Sequence, residues 1–428
     1  MIPIIKQNKD WVRRFKSRNR LDYADIEKTV EGIIRGVRLG GDEALRQYSL
    51  LFDGIAPDPF KVAPDLLDKA LETSDPTLID DLIKAHANIK TYHEKQIPAA
   101  FEYQPSNDIV IGQLVKPIEV VGMYVPGGTA AYPSTVLMNA VPAKIAGVEK
   151  LIMITPPDKN GLVKPALLAA AKIAGVDDIY TVGGAQGIAA LAYGTESIPK
   201  VDKIVGPGNM YVALAKKQVS GQVGIDMVAG PSEILIVADE TARADWVAAD
   251  LISQAEHDVL SSAILVTTSK RLAQNVQTEL DKQVAVLPRA SITRTALQTH
   301  GALILTDTLE EAIEIADAVA PEHLELMVEN PFDVLQRIKH AGAVFIGPYT
   351  PEPVGDYMAG PNHTLPTSGT ARFSSALSTT DFIKKTSYVQ YGRQALYEVK
   401  NSIIRLAEEE GLVGHAKAVS IRFDKEDA

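Results

Sequence analysis

Strand-like and helix-like stretches alternate along most of this chain, and no other feature limits its fold as much. Short runs rich in β-branched residues stand at Val120–Val125, Leu151–Thr155, Ile179–Val182 and Lys203–Val205. Ala-rich helical stretches, such as 135–147 and 165–174, lie between them. A second series runs through Glu233–Ala238, Ala263–Thr267, Ala302–Thr306 and Ala343–Ile346, with helices expected at 242–257, 269–284 and 308–319. Parallel strands need long crossovers, and a helix is the usual one. The pattern predicts an α/β protein with two units of broadly similar plan, each with a parallel sheet. No residue-level repeat relates the two.

The flanks read differently. Residues 1–95 read as helical, with Ile26, Val30, Ile33, Ile34 and Val37 at three- and four-residue spacing. A hairpin is expected around 101–116, turning at Pro105-Ser106-Asn107-Asp108. The tail from about 378 to 428 reads as helical and then strand-like over Ala418–Phe423.

Length and composition bound the function. A chain of 428 residues is too long for one small core, so two to three domains are expected. A net charge of −11, with no basic run, argues against a nucleic-acid partner. The N-terminal stretch MIPIIKQNKDWVRRFKSRNR is too polar for a signal peptide, and no apolar run spans a bilayer, so a cytoplasmic location without membrane contact is expected. There is no cysteine, which excludes disulfides, thiolate metal sites and a thiol nucleophile. Any metal must sit among nitrogen and oxygen ligands. Any aldehyde must be oxidised without an enzyme thiohemiacetal.

Glycine-rich turns follow the strands of the first series: YVPGGTAAYPS, VGGAQG and VGPGN. Glycine lets the backbone approach a ligand, and amides at a helix start can hold phosphate. The dinucleotide fingerprint G-x-G-x-x-G is absent. These turns are read either as a nucleotide site or as tight connections with no ligand.

Four of the eight histidines fall in short polar patches, each with a carboxylate or carboxamide beside it. Such patches supply a metal site with an acid and a base. Gln254 and His257 lie three apart on one face of a predicted helix, or simply form its polar last turn. Glu322-His323 sits at the start of an apolar run, as an acid/base pair or as a cap with a half-buried ring. Asp356 and His363 lie in a glycine-broken loop after the strand ending near Ile346. Ligands in open α/β sheets bind beyond strand C-termini, so this loop is a candidate there; the alternative is a surface turn. Glu410 and His415 lie near the C-terminus, as a helix cap or as a segment reaching a partner subunit. His86, His93, His300 and His340 sit in polar contexts and carry no assigned function.

Taken together, the strings YVPGGTAAYPSTVLMNA, VGGAQGIAALAYGTESIPKVDKIVGPGN, GPSEILIVAD, DLISQAEHD, PEHLEL, GDYMAGPNHTLPTSGTARFSS and EGLVGH resemble the histidinol dehydrogenase family over essentially the whole chain. The resemblance implies two incomplete Rossmann-like domains with small N- and C-terminal helical extensions that join a homodimer. It implies an N-terminal extension over 1–20, a first α/β domain from 21–124 and 233–377 with most of the site, an NAD-binding domain over 125–232, and a dimerisation segment over 378–428. It also implies two NAD-dependent oxidations of L-histidinol, through L-histidinal, to L-histidine. On that pattern Gln254, His257, Asp356 and His415 hold one Zn2+ per subunit, with His415 given by the other subunit. Glu322 and His323 are the acid/base pair. The metal ligands, His323, Ser232, His363 and Glu410 meet the substrate, and Tyr124, Gln186 and Asn209 line the NAD site. The chain departs from the family at Gly187 and Gly414, where alanine is usual, and at Val259, where proline is common. None of the three removes a functional group. An enzyme for another small alcohol on this scaffold, or a zinc hydrolase, is the alternative.

Overall fold

A computed structural model describes residues 2–6, 11–13, 15, 23–127 and 132–423. The chain forms two compact units. One comprises Met1–Gln96 and Ile118–Phe382, the other Ile97–Pro117 and Ile383–Ala428.

In chain order the strands are β1 (Ile4–Lys6), β2 (Phe101–Ser106), β3 (Ile109–Pro117), β4 (Val120–Tyr124), β5 (Lys150–Thr155), β6 (Asp178–Thr181), β7 (Lys203–Val205), β8 (Gly224–Ile225), β9 (Glu233–Ala238), β10 (Ser262–Thr267), β11 (Ala302–Leu305), β12 (His323–Met327), β13 (Ala343–Ile346) and β14 (Ile383–Tyr391). The first unit holds two sheets, parallel throughout, in the orders β6-β5-β4-β7-β8 and β1-β11-β10-β9-β12-β13. In each, three successive strands step outward, and the next returns to the far side of the first. The strand order therefore reverses between β4 and β7, and again between β9 and β12. These are the two parallel-sheet units that the alternation predicts, and their strand order is the Rossmann-like plan that the resemblance implies.

Helices cover both faces of each sheet, so the strands read as continuous apolar runs. Val121, Met123, Leu151 and Met153 pack into one helical layer, while Ile152, Ile154 and Tyr124 pack into the opposite one. Ile234 and Ile236 part from Leu235 and Val237 in the same way across the larger sheet. This alternation fixes register, because a one-residue slip would exchange the two faces.

The second unit is built on an antiparallel sheet, β14-β3-β2, with the helices Arg393–Glu409 and Val413–Ser420 following it in the chain. The expected hairpin is β2 and β3.

Three expectations are corrected. Residues 1–95 are not all helical, since Ile4–Lys6 pairs with β11 at the edge of the larger sheet. The tail is not helical from 378 onward, because β14 pairs with β3 from Ile383↔Pro117 to Tyr391↔Ile109. Ala418–Phe423 is not a strand but the end of a helix and a turn. Its apolar residues are too few to separate period two from helical spacing. The apolar run after Glu322 is itself a strand, β12, at the centre of the reversal. Residues 1, 7–10, 14 and 16–20 of the expected N-terminal extension, residues 21–22, Gly128 to Ala131 of the first glycine-rich turn, and residues 424–428 lie outside the described residues.

Candidate active site

Glu322 and His323 stand at the N-terminal end of β12, beside the first residue of β9. Together they take both backbone groups of Glu233. Its N–H donates to Glu322 Oε2 at 2.8 Å, and its carbonyl lies 3.0 Å from His323 Nδ1. A carbonyl only accepts, so Nδ1 carries the proton and Nε2 presents its lone pair. Ser232 precedes Glu233, and its carbonyl accepts from Ser262 N at 3.0 Å.

Two helices run antiparallel to these strands and end over the same edge. The helix Ala244–Ala255 brings Gln254 in its last turn, with His257 just beyond it and its N–H donating to the Gln254 carbonyl at 3.2 Å. The short helix Glu352–Tyr357 starts where Glu352 N donates to Glu325 Oε1 at 2.9 Å, and it ends with Asp356. Gly355 faces the Phe345 ring so closely that a Cβ there would lie 2.6 Å from it. The helix is thereby seated on β13.

His323, Glu352 and Asp356 each present one ligand atom within 4.8 Å of the others. His323 Nε2 is 3.6 Å from Glu352 Oε1. His363 closes the group, with Nδ1 at 3.2 Å from the Asp356 carbonyl and 3.5 Å from its Oδ1, and Nε2 at 3.4 Å from Thr135 Oγ1. Gln254 is fully buried with neither amide atom hydrogen-bonded, and Glu352 Oε1 is also unpartnered. Orphaned buried polar atoms are rare and costly. Carboxylate, imidazole and carboxamide donors around them make the set that a divalent cation satisfies. A cavity of about 280 Å³ opens here, lined by His323, Asp356, His363, Tyr92 and Asn362 among others.

The electrostatics follow from burial. Burial pushes Glu322 well above the ordinary glutamate range, and only the Glu233 N–H opposes it before neighbouring carboxylates add to the rise. Burial also lowers His323 to about 4, against the raising influence of Asp356 and the Glu233 carbonyl. Glu352 is raised to about 9 by burial, with the Asp356 charge adding to this. Burial also works to raise Asp356, but His363, His323 and Glu352 outweigh it and bring that carboxylate to about 2. His257 is exposed by surface area, yet the protein around its ring lowers its pKa, opposed by Asp356 and Glu256.

The site lies at the N-terminal edge of the larger sheet, and this corrects the expectation of a loop beyond the strand C-termini. Asp356 is not in that loop. The chain leaves the C-terminal end of β13 and returns as a helix, which delivers Asp356 to the opposite edge. Of the residues expected here, the first unit gathers Gln254, His257, Glu322, His323, Asp356 and His363. Glu410 and His415 belong to the second unit, at the end of the helix Arg393–Glu409 and on the helix Val413–Ser420.

Sequence reasoning missed Glu352, Glu325 and Asp250. Glu325 is buried between Leu324 and Leu326 on β12, and Asp250 is nearly buried on the helix facing it. Glu325 lies well above its usual range through burial and the Asp250 charge, and burial raises Asp250 to about 6. The available signal was a carboxylate inside an apolar run. His93, taken as a polar-context histidine, is fully buried, with Nδ1 at 2.8 Å from the Ile89 carbonyl and Nε2 at 3.4 Å from Asn362 Nδ2.

Tyr124, Gln186 and Asn209 lie at the C-terminal edge of the smaller sheet. Tyr124 ends β4, and its buried hydroxyl accepts from Gly184 N at 3.4 Å. Burial pushes its pKa up to about 12. Gln186 is buried beside Gly184 in the helix Gly184–Tyr193. Asn209 follows β7 and caps the helix Met210–Val219 through Oδ1, which accepts from Val212 N at 3.2 Å. Tyr124 and Asn209 thus flank the strand-order reversal, where open α/β sheets bind ligands. At Gly187, the space that alanine's methyl would take is filled by Ile154 Cδ1, 2.9 Å away.

Among the described residues, no helix is long and apolar enough to cross a membrane. A family model described as Histidinol dehydrogenase matches residues 16–423. A protein of Bacillus cereus named histidinol dehydrogenase is 54% identical over 401 residues, 94% of this chain and 93% of that one. One of the same name from Clostridium acetobutylicum is 54% identical over 413 residues, 96% of each. The crystal structure of histidinol dehydrogenase from Elizabethkingia anophelis matches with a TM-score of 0.94 at 36% identity, over 100% of this chain and 99% of that one. With the fold, the length and the identity in agreement, the chain belongs to the histidinol dehydrogenase family.

Proposed function

We propose that this chain oxidises L-histidinol through L-histidinal to L-histidine in two NAD-dependent steps, in the cytoplasm, as a homodimer with one Zn2+ per subunit. The observation that carries the reading is the gathering of His323, Glu352 and Asp356 beside the orphaned Gln254 carboxamide. Gln254, His257 and Asp356 would hold the cation, with His415 contributed by a second copy of the chain. When bound, zinc supplies nitrogen-accepting positions that anchor the substrate's amine and imidazole. NAD accepts a hydride in each oxidation and would lie at 125–232, against Tyr124, Gln186 and Asn209. Residues 21–124 and 233–377 would carry the catalytic site, and 378–428 would join the dimer together with the 1–20 extension.

The protein's own groups divide the proton work. His323 receives the alcohol proton at Nε2, the nitrogen its Nδ1 hydrogen bond leaves as acceptor. The aldehyde then adds water to form its hydrate, because the chain has no thiol to attack it. Glu322 takes the proton from that water, and its burial makes it a stronger base than a solvated glutamate. His363 and Glu410 would face the substrate's polar groups, with Ser232 beside them. Each turnover converts one histidinol, one water and two NAD+ into one histidine carboxylate, two NADH and three protons.

Anaerobic turnover with L-histidinol tests the proposal by counting NADH formed per substrate consumed. A count of two is expected. A count of one would mean that the aldehyde is released, and no NADH with histidinol would favour another alcohol or hydrolysis.

A further inference from the structure

A buried ion pair grips the loop that follows β7. The Lys216 and Asp226 side chains are 2% and 1% exposed and pair directly with each other. Withdrawing two charges from water is expensive, and an apolar pair of similar volume often packs as well, so stability alone does not explain them. Their other contacts do. Lys216 Nζ donates to the Gly206 carbonyl at 2.8 Å, and Gly206 N–H donates to Asp226 Oδ2, also at 2.8 Å. Lys216 can only donate and ionised Asp226 can only accept, so the pair matches the two backbone groups of one residue. Asp226 is held in turn by Met227 N at 2.6 Å.

Gly206 has a φ of 106°, and a Cβ there would lie 2.2 Å from the Tyr124 carbonyl oxygen. Its backbone is therefore pressed against the last residue of β4 on one side and clamped by the ion pair on the other. Three residues later comes Asn209, at the start of the helix that carries Lys216. The clamp thus ties the strand-order reversal to both segments that flank it.

We propose that Lys216 and Asp226 are positioning residues for the dinucleotide. They hold Gly206–Asn209 at one spacing from Tyr124, so that the crevice is formed before the cofactor arrives. This inference rests on the NAD reading above. Preformed geometry spares the cofactor the ordering of a glycine-rich loop, so its loss appears in NAD affinity and not in chemistry.

The test is the double variant Lys216→Met/Asp226→Leu, which leaves no unpaired buried charge. NAD binding by calorimetry, steady-state constants and melting temperature are measured on the holoenzyme. The expected result is a folded protein with a lowered melting temperature, because Gly206 loses both backbone partners, and an NAD Kd and KM raised about tenfold, with kcat and the histidinol KM within about twofold. An unchanged NAD Kd in the folded variant would overturn the proposal. So would a fall in kcat and stability with KM unaltered, which is the mark of a merely structural pair. If the double variant does not fold, the neutral pair Lys216→Gln/Asp226→Asn, which also leaves no unpaired buried charge, is judged by the same Kd. Wild-type protein that binds no NAD defeats the cofactor reading itself. NAD affinity lost in Asn209→Ala but kept in the pair variants defeats the positioning role alone.

Discussion

At the scale of single residues, His323 shows how fixing one ring nitrogen frees the other. Its Nδ1 is committed to a backbone carbonyl, and burial keeps the ring neutral near pH 7. Glu322, one residue earlier, is held by the same backbone unit, so the pair is oriented as one body. Their roles separate in kinetics. Glu322→Gln is expected to leave alcohol oxidation little changed and to slow aldehyde oxidation by about 10²–10⁴-fold. Steady-state rates with histidinol and histidinal measure this, and equal losses on both would end the division of labour. His93 supports the loop of His363 through Asn362, and burial holds its pKa below 6.5. As pH falls through about 6.5, the unfolded chain takes a proton that the folded ring resists. The contribution of His93 is therefore whole above that pH and is lost toward its lower folded pKa. The advantage of wild type over His93→Gln should shrink by up to about 1.4 kcal/mol per pH unit in that window. Urea unfolding between pH 7.5 and 5 checks it, and a pH-independent difference would rule it out. Sequence singled out Glu322 and His323 because paired polar groups break an apolar context. It passed over His93 and Glu352, whose importance depends on what surrounds them in space.

At the scale of elements, the helix Glu352–Tyr357 does much for its length. It is short, yet it places Glu352 and Asp356 one turn apart over the edge of β12. Its seat on Phe345 depends on Gly355 lacking a side chain. Gly355→Ala is expected to lift the helix and weaken metal retention about 10- to 100-fold, the usual range for changes behind a ligand. Zinc remaining after dialysis against a graded chelator measures this, and full retention would show that the helix tolerates the methyl. Strands buried on both faces were legible, because β4–β7 and β9–β11 carry runs that nothing else explains. β14 was not, since most of its side chains are exposed and IKKTSYVQY offers no apolar face. β1 was too short, and its partner β11 lies about 300 residues away. The edge of the sheet that holds the site was also hidden. Strand direction follows from sequence, but the return of a six-residue helix to the opposite edge does not.

At the scale of the whole molecule, the proposed site takes His415 from a second copy. A mixture of His415→Asn and Glu322→Gln chains should then recover histidine formation. Half of the dimers would be mixed with one intact site each, about a quarter of wild-type activity. No recovery above either parent, after subunit exchange is shown, would count against a shared site. The order of the strands has a further consequence for synthesis. The smaller sheet has all its strands once Ile225 has emerged, whereas β1 waits for β11 and β12 for β13. At roughly 5–20 residues per second on the ribosome, the first strand remains unmated for many seconds, a window in which chaperones can meet it.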